Sequence, residues 1–280
     1  MKSNQKKISF AFLLFILIIL HGCKNTFSPP NSGPIPLPNT NTGSAKALLR
    51  EIKWITDNAR AELFYNPDST LKTMTYAGSA SSYAVDYSYK QKLVVACAIG
   101  NVLKQQEFIY DINKQLTAIK IRESAGGTDH QDLEFTYGTN NQVSTMKHFK
   151  TSGSGKVLSS TSTYSYDSNN LLREIITADA NGNKTIIAIQ AYSDPFDYDP
   201  LCFTGISLGN YFHIYNLPVL STMKGLPCKY TKTILSTGLV EERVNADLVI
   251  SNKKITRQAT SVSFPQYTHF DYTSITEFKY

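Results

Sequence analysis

The chain is poor in the residues that mark common chemistries. Of its 280 residues four are Cys and one is Trp, and no two Cys form a CxxC pair. That leaves no motif for a zinc knuckle or a thioredoxin-type redox centre. HExxH, GxGxxG and the P-loop spacing are also absent, so neither a metallopeptidase helix nor a phosphate-cradling glycine loop is indicated. No segment shows a sustained helical stripe with caps, which predicts low helix content. Charge is sparse as well, at 18% of residues.

One long apolar run is present, and it stands at the start. Lys2, Lys6 and Lys7 precede an almost unbroken apolar stretch from Ile8 to Leu20, followed by Leu20-His21-Gly22-Cys23. The stretch is too short for a membrane-crossing helix, which takes ~20 such residues, and suits the h-region of a signal peptide. The ending fits a lipobox, so residues 1–22 are expected to be removed and Cys23 to be acylated. Each buried CH₂ contributes ~0.8 kcal/mol, and the two or three chains of a bacterial lipoprotein make a stable anchor. Lys24, in place of an acidic residue, is similar to Gram-negative lipoproteins sent to the outer membrane. The expected location is therefore an outer-membrane lipoprotein, at the periplasmic face or the cell surface.

Removing Met1 to Gly22 takes away three lysines and no acid, so the formal charge falls from +6 to +3. That balance gives no argument for a nucleic-acid partner. Residues 23–45 are Pro, Ser, Asn, Thr and Gly with little to bury, and read as a disordered tether. Residues 46–280, short alternating runs rich in Tyr, Thr, Ile and Val, are enough for one large β domain with a real core, or two smaller ones.

A repeat built on Tyr organises the first part of this domain. Tyr65-Asn66-Pro67-Asp68, Tyr110-Asp111-Ile112-Asn113, Tyr137-Gly138-Thr139-Asn140 and Tyr166-Asp167-Ser168-Asn169 align without gaps. Six residues after each Tyr stands Leu71, Leu116, Val143 or Leu172, and nine after stands Met74, Ile119, Met146 or Ile175. Two before stands Leu63, Phe108, Phe135 or Tyr164. Each copy reads as a β-hairpin whose Asx- and Gly-rich tetrad makes the turn. The +6 and +9 residues face opposite ways unless a bulge lies between them, and both arrangements remain open. Tyr87 and Leu93 keep the six-residue offset without the turn and suggest a degenerate fifth copy.

The Tyr-Asp-x-Asn-x-x-Leu-x-x-Ile pattern resembles the YD repeats of Rhs-type bacterial surface proteins. Together with the lipobox and tether, it is similar to the uncharacterised YD-like lipoproteins of Bacteroidetes-type bacteria. The resemblance covers about residues 50–177. It implies a passive β shell with a structural or binding role, and carries over no enzymatic activity or cofactor. The copies are too few for a toxin-encapsulating shell, and Tyr137-Gly138 departs from the pattern by lacking the Asp.

The rest continues in β style. Val244, Ala246, Leu248 and Ile250 alternate with polar residues, Ser251 to Lys254 makes a turn, Ile255 restarts a strand, and Phe270-Asp271-Tyr272 and Phe278-Lys279-Tyr280 keep period two. The expected fold is all-β, an antiparallel meander of hairpins forming a strongly curved sheet or open barrel. Tyr192 to Lys229 has no clear period and is the long connection, a type of segment that is often functional. Cys202 and Cys228 flank it and are either bridged or separate buried thiols, while Cys97 sits in the apolar run Leu93 to Ile99. Asp194, Asp197 and Asp199 form a weak calcium candidate, with an Asx/Pro turn as the alternative. His130, His148, His213 and His269 show no shared metal spacing. These features favour a non-enzymatic binding or scaffolding domain, the alternative being a surface glycan-binding accessory of a nutrient-uptake system, for which abundant Tyr is the cue.

Overall fold

A computed structural model describes residues 48–78, 82–91, 93–99, 104–122, 129–138, 140–203 and 217–280. The expected signal peptide, Cys23 and the tether lie outside these residues. Sixteen antiparallel strands follow one another around a closed barrel. They are β1 (Glu51–Trp54), β2 (Ala59–Tyr65), β3 (Leu71–Ala77), β4 (Ser82–Lys90), β5 (Leu93–Ile99), β6 (Lys104–Tyr110), β7 (Leu116–Arg122) and β8 (His130–Tyr137). The circuit continues with β9 (Val143–Ser152), β10 (Gly155–Tyr166), β11 (Leu172–Asp179), β12 (Lys184–Tyr192), β13 (Pro227–Ile234), β14 (Leu239–Ser251), β15 (Lys254–Ser263) and β16 (Tyr272–Lys279). The meander thus closes fully, with Glu51 opposite Lys279 and Trp54 opposite Thr276. The period-two reading fails at Phe270, which lies in a 3₁₀ turn (Thr268–Phe270) before β16 begins.

The repeat geometry is resolved by a bulge. In each hairpin the Tyr pairs with its +6 residue, the −2 residue pairs with +9, and the register shifts just before the Tyr. The shift takes one residue out of the ladder, Lys72, Thr117, Ser144 or Arg173, and brings +6 and +9 onto one face. Leu71, Leu116, Val143, Leu172, Met74, Ile119, Met146 and Ile175 are accordingly all buried. The turns are alike. Ser69, Lys114, Asn141 and Asn170, each four residues after its Tyr, have φ of 68, 65, 57 and 63°. Where the repeat has its Asp, one carboxylate oxygen accepts two backbone N–H groups. Asp111 takes those of Asn113 and Gln115 at 2.9 and 2.8 Å, and Asp167 those of Asn169 and Leu171 at 2.8 and 2.9 Å.

The tyrosine itself joins neighbouring hairpins. The ladder between hairpins ends before the +6 residue, so the neighbouring hairpin's ladder does not reach that carbonyl. The next tyrosine hydroxyl donates to it: Tyr89 to Leu71 at 2.9 Å, Tyr137 to Leu116 at 2.7 Å, Tyr166 to Val143 at 3.0 Å and Tyr192 to Leu172 at 2.5 Å. Tyr65 likewise donates to Leu49 at 2.6 Å where the chain enters the barrel. A buried carbonyl left unpaired is costly, so a phenol is required where a phenyl would fill the same space. The degenerate copy is therefore centred on Tyr89, and Tyr87 is a buried core residue of β4.

Turns alternate between the two ends of the meander. The end where the chain enters β1, the proximal end, carries the Tyr turns, the β14–β15 turn, Tyr280 and the connection between β12 and β13. That connection contributes Phe196, Leu201, Cys202, Leu217, Val219, Leu220, Met223 and Leu226 to the same apolar core as the strands. Two short helices, α1 (Pro200–Phe203) and α2 (Leu217–Leu220), lie within it. Tyr198 donates to the Leu220 and Met223 carbonyls at 2.8 and 3.1 Å, and Asp197 N–H reaches Lys253 O at 2.8 Å. At Gly225 a Cβ would stand 2.5 Å from Ser193 O, so only glycine permits this crossing.

Candidate functional site

The barrel has an apolar inner wall and a charged outer wall. Leu71, Val85, Ile119, Leu133, Tyr230 and Ile255, from strands around the circuit, are each 0% exposed. A barrel of sixteen strands is wide enough to hold water, yet no solvent reaches these side chains. On the outer wall Lys53, Arg60, Lys72, Glu107, Lys147, Arg173, Arg243, Asp247 and Lys279 are exposed. A lipid-facing barrel presents an apolar band outward; here the exposed apolar residues Phe64, Ile109 and Val249 stand among charged ones.

Towards the distal end the inner face turns polar. Ser162 and Thr177 hydroxyls meet at 2.8 Å, and His148 Nε2 bonds Gln131 Oε1 at 2.9 Å. Burial, then Lys150, holds the His148 imidazole below its ordinary pKa. Gln258 donates to Thr260 at 2.8 Å beside Ser274 and Thr276, while its Oε1 is sealed from solvent with no donor among the described residues. Lys232 pairs with Glu241 at 2.9 Å. Glu242, opposite Lys232, is pushed up to about 7 by burial, with Lys232 opposing and Glu241 reinforcing the shift. Sequence reasoning missed Glu242, although it falls on the same parity as Val244, Ala246, Leu248 and Ile250, where a carboxylate is out of place.

A second feature of the distal end is the loop from β15 to β16, dense in aromatic residues. Phe264 and Tyr272 rings lie 6.5 Å apart, Tyr267 is 6.4 Å from both His269 and Phe270, and His269 is 4.1 Å from Phe270. The loop is pinned by one side chain and its own backbone: Phe264 N–H donates to Asp271 Oδ1 at 2.7 Å, Tyr267 N–H to Phe264 O at 2.7 Å and Phe270 N–H to Tyr267 O at 2.9 Å. Tyr267 and Tyr272 remain 39% and 37% exposed.

The sequence candidates are dispersed. Asp194, Asp197 and Asp199 do not converge, and among the described residues no group of three or more His, Cys, Asp or Glu is placed to hold a metal ion. This corrects the calcium candidate. Asp199 instead accepts the Leu201 N–H at 3.1 Å as a turn cap. Cys202 and Cys228 are free thiols. Cys202 is buried against Tyr65 and Asp199, and burial pushes its pKa well up, whereas Cys228 is half-buried on β13 near Asp247. Cys97 lies on β5 as its apolar context implied, with its side chain outside the described set. His130 sits on the outer wall 3.3 Å from Asp132, whose carboxylate also accepts from Thr151 at 2.9 Å. His213 lies outside the described residues. So does Gly205-Ile206-Ser207-Leu208-Gly209, which corrects the reading that the chain has no GxSxG spacing.

No family model and no curated protein sequence matches the chain. Among solved structures, it is similar to a porin-like protein from Bacteroides uniformis at 13% identity and TM-score 0.53, covering 82% of this chain and 94% of that one. A porin-like protein from Bacteroides vulgatus matches at 11% identity and TM-score 0.46, over 83% of this chain and 98% of that one. A TcdB2-TccC3-Cdc42 structure matches at 10% identity and TM-score 0.31, over 80% of this chain and 14% of that one. The first of these shows a shared barrel fold.

Proposed function

We propose that this chain is a cell-envelope lipoprotein whose filled barrel is a non-enzymatic binding or scaffolding domain, held at the outer membrane through Cys23. The observation that carries the reading is the polarity of the wall. With charges on the outer wall and a buried core that is apolar except towards the distal end, the barrel suits an aqueous setting, and on this reading attachment falls to the N-terminal segment. Tyr65 bonds the entering chain at Leu49 on the proximal end, and on this reading the distal end faces away from the membrane. The described titratable groups support a structural role, since His148, Asp132 and Asp199 are engaged by neighbouring protein groups. Mass spectrometry of the mature N-terminus is expected to find cleavage after Gly22 and a diacylglyceryl group on Cys23. Cys23→Ser should release the protein into the soluble fraction without detergent. An intact Met1, or a Cys23→Ser protein that stays embedded in the outer membrane, would overturn the proposal.

The glycan-binding alternative, an accessory of a nutrient-uptake system, is favoured by one specific observation, the exposed aromatic loop at the distal end.

A further inference from the structure

We infer that the loop from Phe264 to Tyr272 is a binding platform for neutral carbohydrate, with Tyr267 and Tyr272 as the faces on which sugar rings lie. This inference rests on the reading of the barrel as a binding domain and names its ligand class.

Three observations converge on it. The rings are exposed: large aromatic side chains are normally removed from water, and a surface cluster of them marks a place of contact. They are also rigid, because backbone bonds within the loop and the Asp271 carboxylate on Phe264 N–H fix the loop before any ligand arrives, which lowers the ordering cost of binding. Finally, the loop itself carries no cation. From Phe264 to Thr276 there is no Lys or Arg, and the one carboxylate, Asp271, is committed to the backbone. Without cationic groups the loop has nothing to hold phosphate or sulfate. A sugar presents apolar C–H faces and hydroxyl edges, and the loop matches both, with aromatic faces beside the exposed polar side chains of Gln266, Thr268 and His269. Ile55, in the adjacent β1–β2 turn, is 40% exposed and extends the apolar area; its N–H bonds Ile275 O on β16 at 2.8 Å.

The test uses the full-length protein in detergent, run on affinity gels containing dextran, galactomannan or xyloglucan, with heparin as an anionic comparator. Anionic lipid vesicles serve as a second comparator. At least one neutral polysaccharide should retard the protein, and isothermal titration with that polysaccharide should show Tyr267→Ala and Tyr272→Ala each weakening binding at least tenfold. Tyr267→Phe and Tyr272→Phe, which keep the stacking face, should bind within about threefold of the parent. Unchanged fluorescence of Trp54, the single Trp, confirms that the variants fold. Retardation by none of the three, binding indifferent to both Ala variants, or binding to heparin or vesicles alone would overturn the inference. Any of these results would leave the acylation and wall-polarity reading standing, since that is judged by fractionation.

Discussion

The repeat contains its own experiment. Gly138 occupies the position held by Asp111 and Asp167, in a turn of the same backbone form: Gly138 N–H bonds Gln142 O at 2.8 Å and Asn141 N–H bonds Gly138 O at 3.2 Å. Its nearest obstacle to a Cβ is Gln142 O at 3.9 Å, so an L side chain fits. Gly138→Asp should therefore place a carboxylate within reach of the Asn140 and Gln142 N–H groups, copying the two bonds of Asp167. In a solvent-exposed turn two such bonds contribute about 1–2 kcal/mol. Removing the glycine from the unfolded chain adds about 0.5 kcal/mol. For a domain of this size that corresponds to a melting temperature higher by about 3–10 °C. Asp167→Ala should lose about 1–2 kcal/mol by the same reasoning. Urea unfolding at pH 7 would show both as shifts of midpoint with unchanged slope. If Gly138→Asp leaves the midpoint where it was while Asp167→Ala lowers it, the carboxylate is not what stabilises these turns, and the parallel between the repeats is one of backbone alone.

Tyr137→Phe should cost about 1–2 kcal/mol in the same assay, because Leu116 O loses its donor while the ring still packs; a neutral result would show that the carbonyl finds another partner. Burial raises the folded-state pKa of Glu242, so the contribution of this group is full below pH 4.5 and is lost as pH rises through about 7. It amounts to about 3 kcal/mol between those limits, and Glu242→Gln should flatten stability over that range while raising it at pH 8; an identical pH profile for the two proteins would count against it. Peptide mapping of unreduced protein should find Cys202 and Cys228 both free, with Cys202 alkylated only on unfolding; a linked peptide would show that the connection closes covalently.

The hairpins were legible because turn chemistry is local. An Asp two residues before the N–H it caps can be read from four letters, and so can alternation on a half-buried strand. What stayed open was parity. A bulge is one unpaired residue, and Lys72, Thr117, Ser144 and Arg173 share no side-chain type that would announce it. The misplacement at Tyr87 has the same root, since the equivalent Tyr89 is defined by a bond to Leu71, on another hairpin, which spacing within one hairpin does not encode. Closure was invisible too, because it is a property of pairing between Glu51 and Lys279 across almost the whole domain. At the distal end Glu242, a carboxylate in phase with the buried face of its strand, was overlooked, and of the rings from Phe264 to Tyr272 only Phe270 and Tyr272 were read, as a strand. The convergence of Asp194, Asp197 and Asp199 failed because neighbouring residues in a loop need not point one way, and Asp199 is occupied in capping α1.

The seam between β1 and β16 has a bearing on how the molecule comes into being. Every other pairing in the circuit joins strands adjacent in sequence, so contacts accumulate locally and quickly as hairpins zip onto one another. The seam alone waits for the last strand, and until it arrives the sheet is a ribbon with two raw edges, of the kind on which aggregation is templated. β1, four residues long, offers little to a wrong partner, and the Lys279–Glu51 ion pair at 2.6 Å helps set the register when the right one comes. Assembly is thus almost all short-range, with a single long-range step left to the end.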